Sequence, residues 1–349
     1  MKNRKLILLR NLAILIVSLL FLTAGAGCIY ADQLLNKINY TQPGSAAGAD
    51  SGSAGIYDPG DTEPNDSTAA GLVGGLYHDD AIKNILLLGS DDYQKNDTGR
   101  SDSMMLVSID TRHKKLKITS FMRDMYVAIP GIGSDKLNAA YSRGGGRAKG
   151  AQKVVSTIEA NFGIDIDRFA IVEFSAFPKI INRLGGVTIT LTSGEAKLIN
   201  RYSESKKKNL TAGTFTLDGY QARYYSRIRA IGDDFERTQR QRKVFSSLVD
   251  KLKSSSLFQI NSILSDTLNL VTTNMTKNEI VSLASHSLTY LNYPVSQHRV
   301  PADGEYKAGN VYIGKSTRPS DVLIVNLDKC KESLTKFLYE NNIPEKTYG

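Results

Sequence analysis

The chain has 349 residues, room for one large domain or two ordinary ones, and its 41% hydrophobic content with 17 tyrosines excludes wholesale disorder. A formal charge of +9 directs attention to anionic partners, among which nucleic acid, an anionic membrane surface and phosphorylated substrates all qualify. Two cysteines, Cys28 and Cys330, exclude a disulfide framework, so stability has to come from the core.

Residues 1–10 carry Lys2, Arg4, Lys5 and Arg10, and from Asn11 to Ala31 no side chain is charged. About 20 apolar residues rising about 1.5 Å each are what a bilayer's hydrocarbon requires, so 11–31 reads as a transmembrane signal anchor. The positive-inside rule then leaves 1–10 in the cytoplasm and everything after Asp32 outside, as a single-pass cell-membrane protein. A cleaved signal peptide is the rival, but its apolar region runs to only about 7 to 15 residues. A lipoprotein through Cys28 is disfavoured by the small residues Gly25, Ala26 and Gly27 before it.

Residues 32–80 read as a flexible linker that is rich in Gly, Ser and Ala from Thr41 onward and acidic at Asp50, Asp58, Asp61, Glu63, Asp66, Asp79 and Asp80. The basic surplus therefore falls on residues 81–349, expected to be one domain. There Ile82 to Gly89 suits a strand buried on both faces, and Ser103 to Asp110 with Lys115 to Phe121 suits a hairpin turning at Thr111 to Lys114. Helical spacing follows over Lys149 to Phe162 and Ser175 to Leu184, interleaved with strands at Arg168 to Phe174 and Val187 to Leu191. Val322 to Val325 is the expected last strand, before a helix from about Lys329. Such alternation predicts an α/β fold, a three-layer α/β/α sandwich around a central mixed sheet, preceded by one N-terminal transmembrane helix.

Two familiar chemistries can be set aside. Gly309 to Ser316 satisfies the P-loop pattern, but Val311, Tyr312 and Ile313 are strand formers and Pro319 closes off the helix that should follow. No Gly-x-Ser-x-Gly elbow occurs, and His78, His113, His286 and His298 lack metal-ligand spacing.

The informative stretch is Leu217 to Phe245. Asp218 can cap one helix, and Asp233 or Asp234 can cap a second, with Arg227 and Arg229 between them. Arg237 and Arg240 stand one turn apart, with Gln241 beside them on what reads as the same side. Cations in the first turns of a helix oppose the macrodipole, and every cation from Arg227 to Arg240 is arginine, the residue suited to bidentate phosphate contacts. This predicts a bound anion. Upstream, Asp91, Arg100-Ser101-Asp102 and Arg123-Asp124 fall at strand ends, where α/β sheets place sites. Asp91 and Asp102 would suffice for Mg²⁺, which takes one or two carboxylates and completes its shell with water and phosphate oxygens.

Gly89-Ser90-Asp91, Arg100-Ser101-Asp102, Arg123-Asp124 with Ile129-Pro130-Gly131, and Lys136 to Tyr141 together resemble the LytR-CpsA-Psr family, as do Tyr225 to Arg229 and Asp234 to Gln241. The likeness runs from Ile82 to Leu252 and fades beyond. It implies an enzyme, a phosphotransferase moving a glycopolymer such as wall teichoic acid or capsule from a polyprenyl-pyrophosphate carrier to a peptidoglycan hydroxyl. By this resemblance Arg123, Arg227, Arg229 and Arg240 would hold the pyrophosphate, with Arg100, Arg237 and Gln241 as further contacts. Asp91 and Asp102 would bind Mg²⁺ or Mn²⁺, and Asp124 or Asp234 would take the hydroxyl proton. Phe177 to Leu184 is a candidate wall for the lipid. Met122 stands where the family often has a proline. A non-catalytic polyprenyl-phosphate or wall-binding module and a basic-helix transcriptional regulator are the alternatives; the expected outside location speaks against nucleic acid.

Overall fold

The computed structural model describes residues 32–41, 75–90, 99, 101–255 and 268–347. The expected span at 11–31, Asp91 and Arg100 lie outside these residues. Among the described residues no helix is long and apolar enough to cross a membrane.

The sheet is built around β3 (Ile82–Ser90), which pairs antiparallel with β4 (Ser101–Asp110) and parallel with β8 (Arg168–Glu173). Alternate β3 residues divide between two cores: Ile82, Leu86 and Leu88 join one cluster, Ile85 and Leu87 another. That division follows from the two-residue period of a pleated strand and requires cover on both faces. On one face lie α2 (Arg147–Phe162) and α9 (Leu327–Tyr339). On the other lie α6 (Asp234–Ser254), α7 (Lys277–Ser285) and α8 (Ser287–Leu291). The full order is β1-β11-β8-β3-β4-β5-β12, where β5 is Lys115–Phe121, β11 is Val271–Thr273 and β12 is Val295–Val300. The mixed sheet with helices on both faces is thus present. Its outer strand β1 (Asn39–Tyr40) comes from the segment read as linker and pairs parallel with β11.

Val322 to Val325 does form a strand, but not in this sheet. It belongs to β14 (Ser320–Val325), in a second sheet ordered β13-β14-β6-β7, with β13 at Tyr306–Val311, β6 at Met125–Ile129 and β7 at Gly133–Lys136. Between β7 and α2 lies the short helix α1 (Ala139–Arg143), and β2 (Leu76–Tyr77) pairs antiparallel with β15 (Lys346–Thr347).

Between β8 and α6 the chain makes a lobe with its own core. It contains α3 (Phe177–Arg183), the antiparallel pair of β9 (Val187–Leu191) and β10 (Gly213–Leu217), α4 (Ser193–Tyr202), which connects those two strands, and α5 (Gly219–Arg227). Asp218 caps α5 and Asp233 caps α6, each through a full capping box that satisfies the otherwise orphaned first-turn N–H groups. α5 begins with glycine for want of space: a Cβ at Gly219 would stand 2.1 Å from the Pro178 carbonyl oxygen at the start of α3.

The β4–β5 hairpin is fastened to the C-terminal helix by a buried ion cluster. Lys117, 1% exposed, donates to Asp110 Oδ2 at 2.6 Å and to the Leu338 carbonyl at 2.6 Å, and lies 3.0 Å from Glu340. Asp110, His113 and Glu340 are close enough together to hold a metal ion, but the Lys117 ammonium already supplies the positive charge between the carboxylates. Breaking such a pair leaves an uncompensated buried charge.

Glu159 near the end of α2 accepts the Ile166 N–H at 3.2 Å. Burial pushes its carboxyl from 4.5 up to about 7, against that hydrogen bond and with help from Asp165. Between these two values the folded chain holds a proton that the unfolded chain has released, so stability falls as pH rises through the window. Urea unfolding of Glu159→Gln should lose this slope and gain stability over wild type above pH 7; an unchanged slope would refute it.

Candidate active site

Arg123 is the centre of the site. It follows β5, and its guanidinium meets three carboxylates from three elements: Asp102 Oδ1 at 2.9 Å, Asp124 Oδ2 at 3.2 Å and Asp234 Oδ1 at 3.4 Å. Burial opposes its charge, but Asp234, Asp124 and Asp102 hold its pKa above the ordinary value. Lys136 donates to Asp124 at 2.9 Å, Arg237 lies 2.8 Å from Asp234, and Arg229 approaches Asp102 at 3.8 Å. Burial raises the Asp234 carboxyl despite Arg237 and Arg123, and it lowers Arg237 despite Asp234. Arg237 is 3% exposed, and its buried Nε has no hydrogen-bond partner. An anion at the cleft would complete what the three carboxylates leave unbalanced.

Asp102, Arg227, Arg229, Arg237 and Gln241 line one cleft of about 420 Å³. Behind it an apolar slot of about 260 Å³ runs between the sheet and the lobe, walled by Leu87, Met105, Val172, Phe177, Ile180 and Leu248. Four residues line both spaces: Phe174, Arg223, Arg227 and Gln241. Arg227 stacks over the Phe174 ring at 5.2 Å, and Ser103 donates to Gln241 Oε1 at 3.4 Å. Gly89 makes room for this wall, since a Cβ there would meet the Phe174 ring at 3.0 Å. Phe177 and Ile180 place the expected wall helix along the slot, while Ile181 turns into the lobe core.

The structure therefore brings Asp102, Arg123, Asp124, Arg227, Arg229, Asp234, Arg237 and Gln241 together. Arg240 is a correction. At about 100° per residue it points well away from Gln241. It is 5% exposed, donates to the carbonyls of Ile228 at 2.9 Å and Ile231 at 3.2 Å, and lies 3.6 Å from Glu195. Those carbonyls belong to the loop between α5 and α6, so Arg240 shapes the segment that carries Arg229 instead of lining the cleft.

Sequence reasoning passed over Arg223, Phe174, Tyr202, Glu204, Tyr220 and Tyr224, all in the cleft wall. Only Arg223, one turn before Arg227 on α5, had a signal that could have found it. Met122, in the expected proline position, explains itself: its N–H donates to the Val300 carbonyl at 2.9 Å, a bond proline cannot make, and its sulfur accepts from Thr238 at 3.3 Å.

For a divalent cation the hard carboxylate oxygens of Asp102 are suitable donors, and its Oδ2 meets Arg229 only at 3.8 Å, beyond hydrogen-bond reach. Asp102 is thus the described residue that fits, with Asp91 following the last residue of β3.

The cleft and slot set an array of cations beside an apolar space. The model of the LytR_cpsA_psr family matches residues 56–327, beyond both ends of the motif likeness, and the chain belongs to this family. It is similar to TagT of Bacillus subtilis strain 168, named polyisoprenyl-teichoic acid–peptidoglycan teichoic acid transferase, at 39% identity over 178 residues, 49% of this chain. In that match the chain spans about half the length of the relative, 53%. TagU of Bacillus licheniformis, whose name carries the same activity, is 31% identical over 256 residues, 72% of this chain and 78% of that protein. A structure of TagT bound to LIIa-WTA superposes with a TM-score of 0.58 at 27% identity, over 77% of this chain and 99% of that one. A structure of TagT with bound octaprenyl pyrophosphate lipid gives 0.54 at 25% identity, over 77% and 99%.

Replacing Arg240 by Met should cost about 2 kcal/mol through its lost charge-assisted hydrogen bonds, measured by urea unfolding. A loss below a few tenths of a kcal/mol would show that the loop holds its shape without it.

Proposed function

We propose that this protein transfers a glycopolymer from a polyprenyl-pyrophosphate carrier to a sugar hydroxyl of peptidoglycan. The observation that carries the reading is the junction at Phe174, Arg223, Arg227 and Gln241 between an apolar slot and a cationic cleft. A prenyl chain fits the first and a pyrophosphate the second. The names of TagT and TagU support the same donor and acceptor classes, with wall teichoic acid as the polymer class.

In the step itself, an acceptor oxygen attacks the phosphorus that bears the glycan. A new P–O bond to the acceptor forms, and the bond to the bridging oxygen of the carrier phosphate breaks, releasing a prenyl monophosphate. Arg227, Arg229 and Arg237 stabilise the charge that gathers on the departing phosphate, the largest contribution in reactions of this kind. Asp234, with its carboxyl raised by burial and facing Arg123, accepts the hydroxyl proton. Asp124, pinned between Arg123 and Lys136, positions Arg123. Mg²⁺ or Mn²⁺, held by Asp91 and Asp102, would neutralise phosphate oxygens when bound.

The full chain in detergent should bind polyprenyl pyrophosphate, and Arg227→Ala with Arg229→Ala should weaken binding by about 100-fold or more. Asp234→Asn should retain binding and lose about 100-fold or more in transfer from a lipid-linked oligosaccharide. Unaltered binding by the double variant would sink the proposal, and tight binding without transfer by wild type would leave a carrier-binding module in its place.

We also propose that residues 11–31 anchor the chain, with residues 1–10 cytoplasmic and the domain outside the cell membrane, supported by the uncharged run after Arg10. A reporter fused after Gly349 should be active only on the outer side; cytoplasmic activity would overturn this topology.

A further inference from the structure

The segment that follows the proposed anchor is built into the domain. Lys277, the first residue of α7, donates to Asp32 Oδ1 at 2.8 Å and to Asn36 Oδ1 at 2.5 Å. Ile38 is buried, and β1 then pairs with β11. Asn39 donates to the Asn269 carbonyl at 3.1 Å, and the Thr41 N–H to the Thr273 carbonyl at 2.9 Å. Residues 32–41 are therefore a sheet edge and leave no slack between the anchor and the fold. A span ending at Ala31 would leave the bilayer one residue before Asp32, and one residue reaches at most about 3.6 Å. The start of α7 would then stand at the membrane surface.

The surface that begins there has an unusual composition. From Ile280 to Gln297 the sequence contains no Asp, Glu, Lys or Arg, although 23% of the chain is charged. This is no core segment, because α7 and α8 contribute no fully buried residue. Val281 is 48% exposed and Leu288 55%, and Ser282, Ala284, Ser285 and Thr289 are exposed beside them. A helix facing water ordinarily carries charge on its outer side, whereas one lying in a membrane interface turns apolar residues toward the acyl chains. Glu279, the last acid before the run, turns inward to Arg168 at 2.7 Å and Lys83 at 3.9 Å, at the beginning of β3. The cleft lies toward the other end of that strand, about 23 Å away at Ser90. Beneath the exposed surface Leu283, Tyr290 and Leu291 pack in one cluster with Leu87 and Phe245, which also wall the apolar slot. Slot and surface therefore share one side of the sheet.

We infer that the exposed side of α7 and α8, bearing Val281 and Leu288, rests on the outer surface of the bilayer. The inference rests on the proposed anchor and goes beyond it, since an anchor alone leaves the domain's orientation open. Val281 and Leu288 reach the boundary between headgroups and acyl chains, and the uncharged residues around them spare the contact the cost of desolvating an ion. The chain has no tryptophan, so one introduced on this surface reports alone. Full-length Val281→Trp and Leu288→Trp are reconstituted into phosphatidylcholine–phosphatidylglycerol vesicles, with and without bromine on the acyl chains. Emission from both should shift to the blue and be quenched by about half in the brominated vesicles. Tyr312→Trp, at a position 67% exposed just after β13, should show neither change. No quenching at either helix position in a chain that resists alkaline extraction would overturn the inference. So would equal quenching of Tyr312→Trp, or a blue shift without quenching, which would mark a second copy or a protein partner as the cover. If alkaline treatment released the wild-type chain from the vesicles, the anchor itself would fall first.

Discussion

One guanidinium holds the active cleft together. Arg123 ties the start of β4 through Asp102, its own turn through Asp124 and the start of α6 through Asp234. Three carboxylates so close would repel one another and take up protons; the cation between them keeps the ensemble compact. The arrangement is also asymmetric. Lys136 and Arg237 claim Asp124 and Asp234 from outside, and Arg229 stands off from Asp102. Positive charge thus exceeds negative along the cleft, six cations in Arg123, Lys136, Arg223, Arg227, Arg229 and Arg237 against the four carboxylates of Asp102, Asp124, Glu204 and Asp234. The excess is exposed where Arg227 and Arg229 meet solvent.

The lobe from α3 to α5 supplies what a bare sheet edge could not. Charges at strand ends alone would face open water, where their interactions are weak. By packing on α6 through its own core, the lobe leaves an apolar gap against the sheet and sets Phe174 between that gap and the arginines. The boundary joins two spaces that would each be indiscriminate alone, since neither by itself would distinguish a lipid phosphate from free phosphate or from a free hydrocarbon.

Much of this was legible in the residues. The run at Ile82 announced a central strand because a strand buried on both faces is apolar, and those at Ser103 and Lys115 announced a hairpin because they flank a turn. Asp218 and Asp233 marked helix starts because capping is local chemistry. At the start of α6 the macrodipole opposes the arginines less than their number suggests, because Asp233, Asp234 and Glu236 crowd the same turn and partly compensate them. Arg240 shows where local reading stops. Nothing in its spacing from Arg237 says that the carbonyls of Ile228 and Ile231 will capture it, because the α5–α6 loop is placed by tertiary packing. The cleft tyrosines Tyr202, Tyr220 and Tyr224 were hidden for the same reason, the latter two lying 18 and 22 positions after the first, on helices joined through β10. Nor could the pairing of β1 with β11 be read, since two residues make no pattern.

The ion cluster around Lys117 has a consequence for the chain's far end. A final helix is commonly regarded as trim, free to fray or be shortened. Here the last turn of α9 offers the Leu338 carbonyl, and the following Glu340 a carboxylate, to an ammonium buried in the central sheet. Asp110 balances that ammonium within the hairpin between β4 and β5, but its full set of partners is present only once the chain has been made as far as Glu340. During synthesis that strand pair holds an ammonium with Asp110 as its partner but short of two others, which arrive more than 200 positions downstream. Adding to the C-terminus leaves this closure intact, whereas cutting back past Glu340 reaches into the middle of the sheet.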